Sequence, residues 1–284
     1  MRLVKANVRS NGQTRSMDNV LPPDGAGWLA RWRELAWPRE HGSWSLALEP
    51  LAFGLIVAPS AAGAWLALAV LAGFFARRPL KIAAGDERPE RRAAARGPLA
   101  ACAVIALGAM AAALACGGTG WLIWLLPIMA AGAVFLFLDL RGEGREEIAE
   151  LAGVAAFAGV PAVMAVLAGW GARTALVFAV VMACRSVPTV LSLRAYLRAE
   201  KSGGRRFAPA LLANALAVAA CAACVRAGLA PAVALASIAV FAGLAIWLLV
   251  WPRPSLRART VGLVEAVLGL AFVVATAVAW RVHG

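Results

Sequence analysis

The chain has 284 residues, of which 62% are hydrophobic and only 15% are charged. A soluble domain carries about 25% charged residues, so this composition excludes an ordinary soluble protein. The charged residues form clusters, and the apolar stretches between them are roughly 18–22 residues long, enough to cross a ~30 Å hydrocarbon core as a helix. The net charge of +13 lies in these clusters, and this distribution argues against a nucleic-acid partner.

Backbone groups in lipid must form hydrogen bonds within their own segment, so each apolar stretch is predicted to be helical. We therefore predict an all-α polytopic membrane protein with about nine transmembrane helices. The predicted spans are about 43–60, 62–80, 97–115, 120–139, 148–168, 173–192, 207–225, 229–250 and 260–280.

The N-terminal residues 1–40 differ from the apolar remainder, 41–284, which we interpret as the transmembrane domain. Near the end of the first segment, Trp28, Trp32 and Leu35 share one face of a short helical pattern. Such a pattern is typical of an amphipathic helix lying at the membrane interface. We therefore expect residues 1–40 to be a cytoplasmic segment that contains an interfacial helix.

The basic residues are divided unevenly between alternate connections. With nine spans and the N-terminus in the cytoplasm, 25 of the 28 Lys and Arg residues fall on the cytoplasmic side. This asymmetry is what the positive-inside rule expects, so the C-terminus is predicted to lie on the outer side. No cleavable signal peptide is expected, because the first forty residues lack a short apolar core, and Met17 is an alternative start to Met1.

Two parts of the chain are weakly alike. Spans 1 and 5 each carry a glutamate near the inner end, Glu49 and Glu150. Spans 2 and 6 each end in arginine followed by proline, in the segments 77–79 and 185–188. This pattern indicates two four-helix halves plus a ninth helix, and duplicated halves are common in membrane transporters.

Four ionisable residues in the spans or at their ends are singled out as candidates for a functional role. A charge at the bilayer centre costs roughly 2.5–3.5 kcal/mol on insertion scales. Glu49 and Arg185 lie inside spans, and they indicate either a functional site or a structural buried pair. Glu265 lies little over one turn into the last span and is interpreted as interfacial. His41, at the mouth of the first span, is either a helix-start residue or an acid, base or phosphate donor, so His41 and Glu49 are the candidate catalytic residues.

Further basic residues gather at the inner ends of spans 2 and 6. Arginine forks suit phosphate or carboxylate groups, which favours an anion-binding mouth open to the cytoplasm. The predicted ligand-binding residues are Arg77, Arg78, Lys81, Arg185 and Arg194. Positive-inside topology alone is the alternative explanation. The acidic segment 139–150 is interpreted as a solvated loop and helix start, so no metal site and no cofactor are predicted.

Three motifs resemble the YwiC-like family of bacterial membrane proteins. They are Pro-Arg-Glu-His-Gly-Ser-Trp at 38–44, Arg-Arg-Pro-Leu at 77–80 and Arg-Ser-Val-Pro-Thr-Val-Leu-Ser-Leu-Arg at 185–194. The resemblance covers roughly residues 38–82 and 185–198 and is only hydropathic elsewhere. It implies an integral protein of the bacterial cytoplasmic (inner) membrane and no particular activity.

The helical layout also resembles that of the UbiA-type intramembrane prenyltransferases, with nine helices, an inside N-terminus and functional loops after helices 2 and 6. Members of that family hold Mg²⁺ on a prenyl diphosphate with two aspartate-rich motifs. This chain lacks both motifs: the 2–3 loop has only Asp86 and Glu87, and the 6–7 region has no acidic residue before Glu200. The resemblance therefore implies a similar scaffold without the metal mechanism.

Three functions remain open at this stage. The first is the binding of an anionic amphiphile, a prenyl phosphate or a lipid, in a basic cavity on the cytoplasmic side. The second is a small-solute transporter with proton coupling through Glu49. The third is a non-catalytic accessory subunit of a membrane complex. The residues favour neither an enzyme nor a non-enzyme, and the expected partners are membrane lipids rather than nucleic acid.

Overall fold

The computed structural model describes residues 34–37, 41–86, 88–204, 206–251, 256 and 258–283. All regular structure in these residues is helical, which confirms the predicted all-α class. The long helices are α1 His41–Val57, α2 Ala61–Gly85, α3 Pro89–Gly117, α4 Leu122–Leu140, α5 Glu147–Leu167, α6 Ala172–Ser202, α7 Ala208–Arg226, α8 Ala232–Val250 and α9 Ala258–His283.

Seven of the helices in the described part of the chain, α3 to α9, are long and apolar enough to cross a membrane. The apolar part of α1, Trp44–Val57, is shorter. Helix α2 carries Arg77, Arg78 and Lys81 in its last third and is not among the seven. A multi-pass membrane protein is confirmed, whereas the count of about nine spans is not confirmed.

Helix α1 packs against α2, α5 and α9. Helix α2 packs against α1, α3, α4 and α5, and α6 packs against α5, α7 and α8. The largest buried cluster includes Phe53 of α1, Phe178 of α6 and Trp280 of α9. The ring centroids of Phe178 and Trp280 are 4.6 Å apart. This aromatic packing holds α1, α6 and α9 together.

The connections that follow α4 and α8 lie beside the C-terminal part of α6. Arg194 of α6 donates to the carbonyl of Arg145 at 2.8 Å. The Tyr196 hydroxyl donates to the carbonyl of Leu256 at 2.7 Å and accepts from its N–H at 2.9 Å. We call the end of the bundle where these connections meet the C-terminal part of α6 the basic end. Gly203 ends α6 there with a φ of 69°, the left-handed conformation that favours glycine.

The predicted interfacial helix lies largely outside the described residues. Residues 34–36 form a helical turn, in which Leu35 is buried, with 1% of its surface exposed. Trp37 follows and packs on Trp44 of α1, with ring centroids 4.8 Å apart. This turn therefore packs against the protein, while the placement of Trp28 and Trp32 stays a prediction.

Candidate functional site

A buried ion cluster joins three helices inside the bundle. The Nη2 atom of Arg185 lies 3.3 Å from Oε1 of Glu49, and its Nη1 atom lies 3.3 Å from Oε2 of Glu265. Nη2 also donates to the backbone carbonyl of Glu265 at 3.1 Å. The exposed fractions of the three side chains are 2% for Arg185, 9% for Glu49 and 17% for Glu265. We call Glu49, Arg185 and Glu265 the buried triad.

The helix register places the two carboxylates at a similar depth. Glu49 lies eight residues after His41, where α1 begins, and Glu265 lies seven residues after Ala258, where α9 begins. At 1.5 Å per residue these positions are about 12 Å and about 10 Å along their helices. Helices α1 and α9 pack directly against each other, so the guanidinium of Arg185, from α6, reaches both carboxylates.

The surroundings of Arg185 hold its guanidinium in place. Its Cζ atom lies 3.9 Å from the ring centroid of Phe241 on α8, a cation–π contact. The Thr189 hydroxyl accepts from Nη1 and donates to the Arg185 carbonyl at 2.9 Å. Gly269 of α9 faces the cluster, and a Cβ at this position would lie 1.9 Å from Oε1 of Glu49. Only glycine leaves room for the ion pair here.

The charges of the triad do not balance, because two carboxylates surround one guanidinium. Two of its atoms, Nε of Arg185 and Oε2 of Glu265, make no hydrogen bond within the described residues. A buried charge without a partner is expensive, and an ionisable group at membrane depth is a functional-site candidate. The triad therefore has a formal charge of −1, which a proton or another cation would neutralise.

Sequence reasoning paired Glu49 with Arg185 and interpreted Glu265 as interfacial. The structure places Glu265 in the same cluster, with most of its side chain buried. A signal was present in the sequence, since Gly269 follows Glu265 by four residues and lies on the same helix face. A small residue beside an intramembrane carboxylate lets another helix bring its charge close.

A second cluster of charges lies at the basic end, between α2 and α4. Asp139, which is only 1% exposed, accepts from Nε of Arg77 at 2.8 Å and from Nζ of Lys81 at 2.9 Å. The Arg77 guanidinium also lies 4.7 Å from the ring centroid of Phe135. Gly144 leaves space for the carboxylate, because a Cβ there would lie 2.1 Å from Oδ1 of Asp139. We call Arg77, Lys81 and Asp139 the Asp139 cluster.

A third group of ion pairs links the start of α5 to the end of α6. Arg194 lies 2.7 Å from Oε2 of Glu150 and 3.9 Å from Oε2 of Glu147. Arg198 lies 3.6 Å from Oε2 of Glu147. The exposed fractions of these side chains run from 22% to 46%, so solvent reaches each pair. We call this group the α5–α6 clasp.

The five predicted ligand-binding residues therefore lie in separate places. Arg77 and Lys81 share Asp139, Arg185 lies in the buried triad and Arg194 lies in the α5–α6 clasp. Arg78 donates to the carbonyl of Trp37. Anion binding by these residues stays a prediction. His41 begins α1, but its side chain lies outside the described residues, so its role also stays a prediction.

Among the described residues, no group of three or more His, Cys, Asp and Glu side chains has the arrangement of a metal site. In the connection between α2 and α3, Asp86 accepts from the N–H of Arg88 at 3.0 Å and from Nη1 of Arg91 at 3.1 Å. Partial burial acts to raise the pKa of Asp86, but these hydrogen bonds and charges outweigh it and hold the pKa below its usual value. The Asp86 carboxylate of this loop is therefore already hydrogen-bonded to two arginines.

Residues 37–165 match the family model described as YwiC-like protein. This part of the chain is similar to the YwiC-like family. The matched segment covers α1 to α4 and nearly all of α5. The match confirms the resemblance of the motifs at 38–44 and 77–80. The segment 185–198 lies outside the match, so its resemblance stays a prediction. Comparisons with curated proteins and with solved structures give no match, so the UbiA-like layout also stays a prediction.

The YwiC-like part supplies some of the site residues, and the remainder of the chain supplies the others. Glu49 and the whole Asp139 cluster lie within residues 37–165. Arg185 and Glu265 lie beyond that range. The buried triad is therefore assembled across the boundary of the matched segment.

Proposed function

We propose that this multi-pass membrane protein is a small-solute transporter whose transport is coupled to proton binding at the buried triad. The single observation that carries the proposal is the excess carboxylate around Arg185 at membrane depth. One proton on Glu49 or Glu265 would bring the triad from a formal charge of −1 to neutrality. Proton relays in pumps and transporters are built from such intramembrane carboxylates.

The triad is also placed so that proton binding would act on helix packing. Glu49 belongs to α1, Arg185 to α6 and Glu265 to α9, and they are far apart in the sequence. Protonation of Glu49 would weaken its 3.3 Å contact with Arg185 and so loosen α1 from α6. A ligand or proton shifts a conformational equilibrium only through such differential contacts.

We further propose that the basic end faces the cytoplasm of a bacterium, in its inner membrane. The 25 basic residues assigned to that side support this orientation, because cytoplasmic connections carry the excess of Lys and Arg. The N-terminus would then lie inside and the C-terminus outside. Single-cysteine labelling of intact cells with an impermeant thiol reagent, applied at Glu200 and at Arg173, tests the orientation. A cysteine at residue 173 should be labelled. Labelling at residue 200 instead would show the opposite orientation.

The coupling is tested by electrical recording from proteoliposomes on a solid-supported membrane. A pH jump is expected to give a transient current from the wild type, because charge is displaced when the triad takes up a proton. The variants Glu49→Gln and Glu265→Gln should lose this current. Glu200→Gln, which removes an exposed carboxylate near the end of α6, is the matched control and should retain it. A wild-type current from Glu49→Gln would exclude the proposed role.

A second candidate function is the binding of an anionic amphiphile, such as a prenyl phosphate or a lipid, at the basic end. The Asp139 cluster supports it, because two cations share one carboxylate and the Lys81 side chain is 47% exposed. The test is mass spectrometry of the lipids that copurify with the protein. Arg77→Ala should lose an anionic species that Arg281→Ala, a control near the C-terminal end of α9, retains. An unchanged set of lipids would rule this function out.

A further inference from the structure

An apolar groove of about 250 Å³ runs between α8 and α9. Its lining is Leu244, Trp247, Leu248, Leu256, Thr260, Val261 and Val264. The exposed fractions of Trp247 and Val264 are 44% and 42%, so the groove opens at the side of the bundle. In a membrane, this opening would face the lipid chains.

The groove and the buried triad share helix α9, which supplies Val261 and Val264 to the groove and Glu265 to the triad. Leu244 and Leu248 lie three and seven residues after Phe241, and residues at these spacings share a helix face. Val261 likewise lies four residues before Glu265 on α9. The Arg185 guanidinium lies over the ring of Phe241 and forms an ion pair with Glu265. Glu265 therefore lies about one helical turn beyond Val261 of the groove, on the same face of α9.

The buried triad has one carboxylate more than it has guanidinium groups, and this excess favours a cation over an anion. Glu265 is the most exposed member of the triad, and its Oε2 atom makes no hydrogen bond within the described residues. Helix α8 has no charged residue in 232–250, so it offers an anion no counter-charge. The α5 carboxylates Glu147 and Glu150 are already paired with Arg194. Arg253 and Arg257, in the connection from α8 to α9, lie outside the described residues.

We propose that the α8–α9 groove is the site of a lipophilic amine, which enters from the bilayer with its apolar tail in the groove. Its ammonium group would lie against Glu265 and replace the proton that otherwise neutralises the triad. The groove supplies burial for the tail, and the excess carboxylate supplies the charge complement. The proposal rests on the proposed function, since it names the substrate class of a transporter that exchanges a cation for a proton.

The test uses decylamine as the probe and decanoate as its counterpart with the same tail and the opposite charge. Purified protein in weakly buffered detergent solution is titrated with each compound, and proton release is recorded. Decylamine should release protons and decanoate should not. Glu265→Gln should abolish the release. Val264→Trp, which fills the groove from its lipid side, should weaken the apparent affinity by about tenfold or more, because apolar burial is lost.

The control for the groove is Val267→Trp, which introduces the same side chain three residues further along α9, at a position that is 60% exposed and outside the groove lining. It should bind decylamine as the wild type does, which also shows that α9 tolerates tryptophan. Equal proton release by both tryptophan variants, or release by decanoate, would overturn the site. The currents after a pH jump are measured without any amine, so their loss in Glu49→Gln would still support proton coupling if decylamine failed to bind.

Discussion

The buried triad and the Asp139 cluster have opposite compositions. In the triad, two carboxylates surround one guanidinium, and all three side chains are at least four-fifths buried. In the Asp139 cluster, two cations surround one carboxylate, and Lys81 keeps 47% of its surface exposed. The excess cation at the basic end is exposed to solvent, whereas the excess carboxylate of the triad is largely buried, where an uncompensated charge is costly. The excess negative charge of the triad therefore requires a functional explanation, whereas the excess positive charge of the Asp139 cluster does not.

The largest effect is expected from Arg185→Ala, which leaves two buried carboxylates without their cation. Removing one partner of a buried ion pair costs about 3–5 kcal/mol. The measurement is the free energy of unfolding in mixed detergent micelles titrated with SDS. The triple variant in which Glu49→Gln and Glu265→Gln accompany Arg185→Ala should recover most of the loss. A loss below about 1 kcal/mol for the single variant would mean that the triad is hydrated.

Gly269→Ala should be the next most damaging change. Its methyl group would overlap Oε1 of Glu49 and lie 2.8 Å from Nη2 of Arg185, so the ion pair or α9 must shift. Overpacking of this kind costs typically about 1–3 kcal/mol. The matched control is Gly262→Ala on the same helix, where nothing lies within 4 Å of the added Cβ. Equal unfolding free energies for the two variants would contradict the close contact at residue 269.

Asp139→Asn should have a smaller effect than either change in the triad. It removes the charge that binds Arg77 and Lys81, but both cations can turn toward solvent, so about 1–2 kcal/mol is expected. Thermal unfolding in detergent measures the change. Lys81→Ala, which removes the more exposed partner, should cost less than Asp139→Asn. The reverse order would show that the lysine, rather than Arg77, holds α2 to α4.

The smallest effect is expected from Arg194→Ala in the α5–α6 clasp. Exposed ion pairs contribute about 0–1 kcal/mol and are screened by salt. The unfolding free energies of the variant and the wild type should converge as salt is raised, while the loss in Arg185→Ala should persist. A salt-insensitive loss in Arg194→Ala would place the clasp with the buried triad instead of the solvated pairs.

Hydropathy located each helix, but two of the helices continue well past their predicted spans. Helix α3 begins at Pro89, not near 97, and α6 continues to Ser202, not near 192. The added turns are rich in charged residues, and their helical form is supported by ion pairs such as those of Arg91 and Arg194. Apolar length reports only the part of a helix that lipid would cover, so a helix that continues past it was not predicted.

The sequence by itself determined that the chain is an all-helical, multi-pass membrane protein, since this property follows from local composition. It also marked Glu49 and Arg185 as charges that need a reason. Only the tertiary structure brought Glu265 to Arg185 and distributed the other cations among Asp139, Glu147 and Glu150. The reason is physical: an ion pair depends on which helices are neighbours, and the packing of α1 against α9 joins opposite ends of the chain.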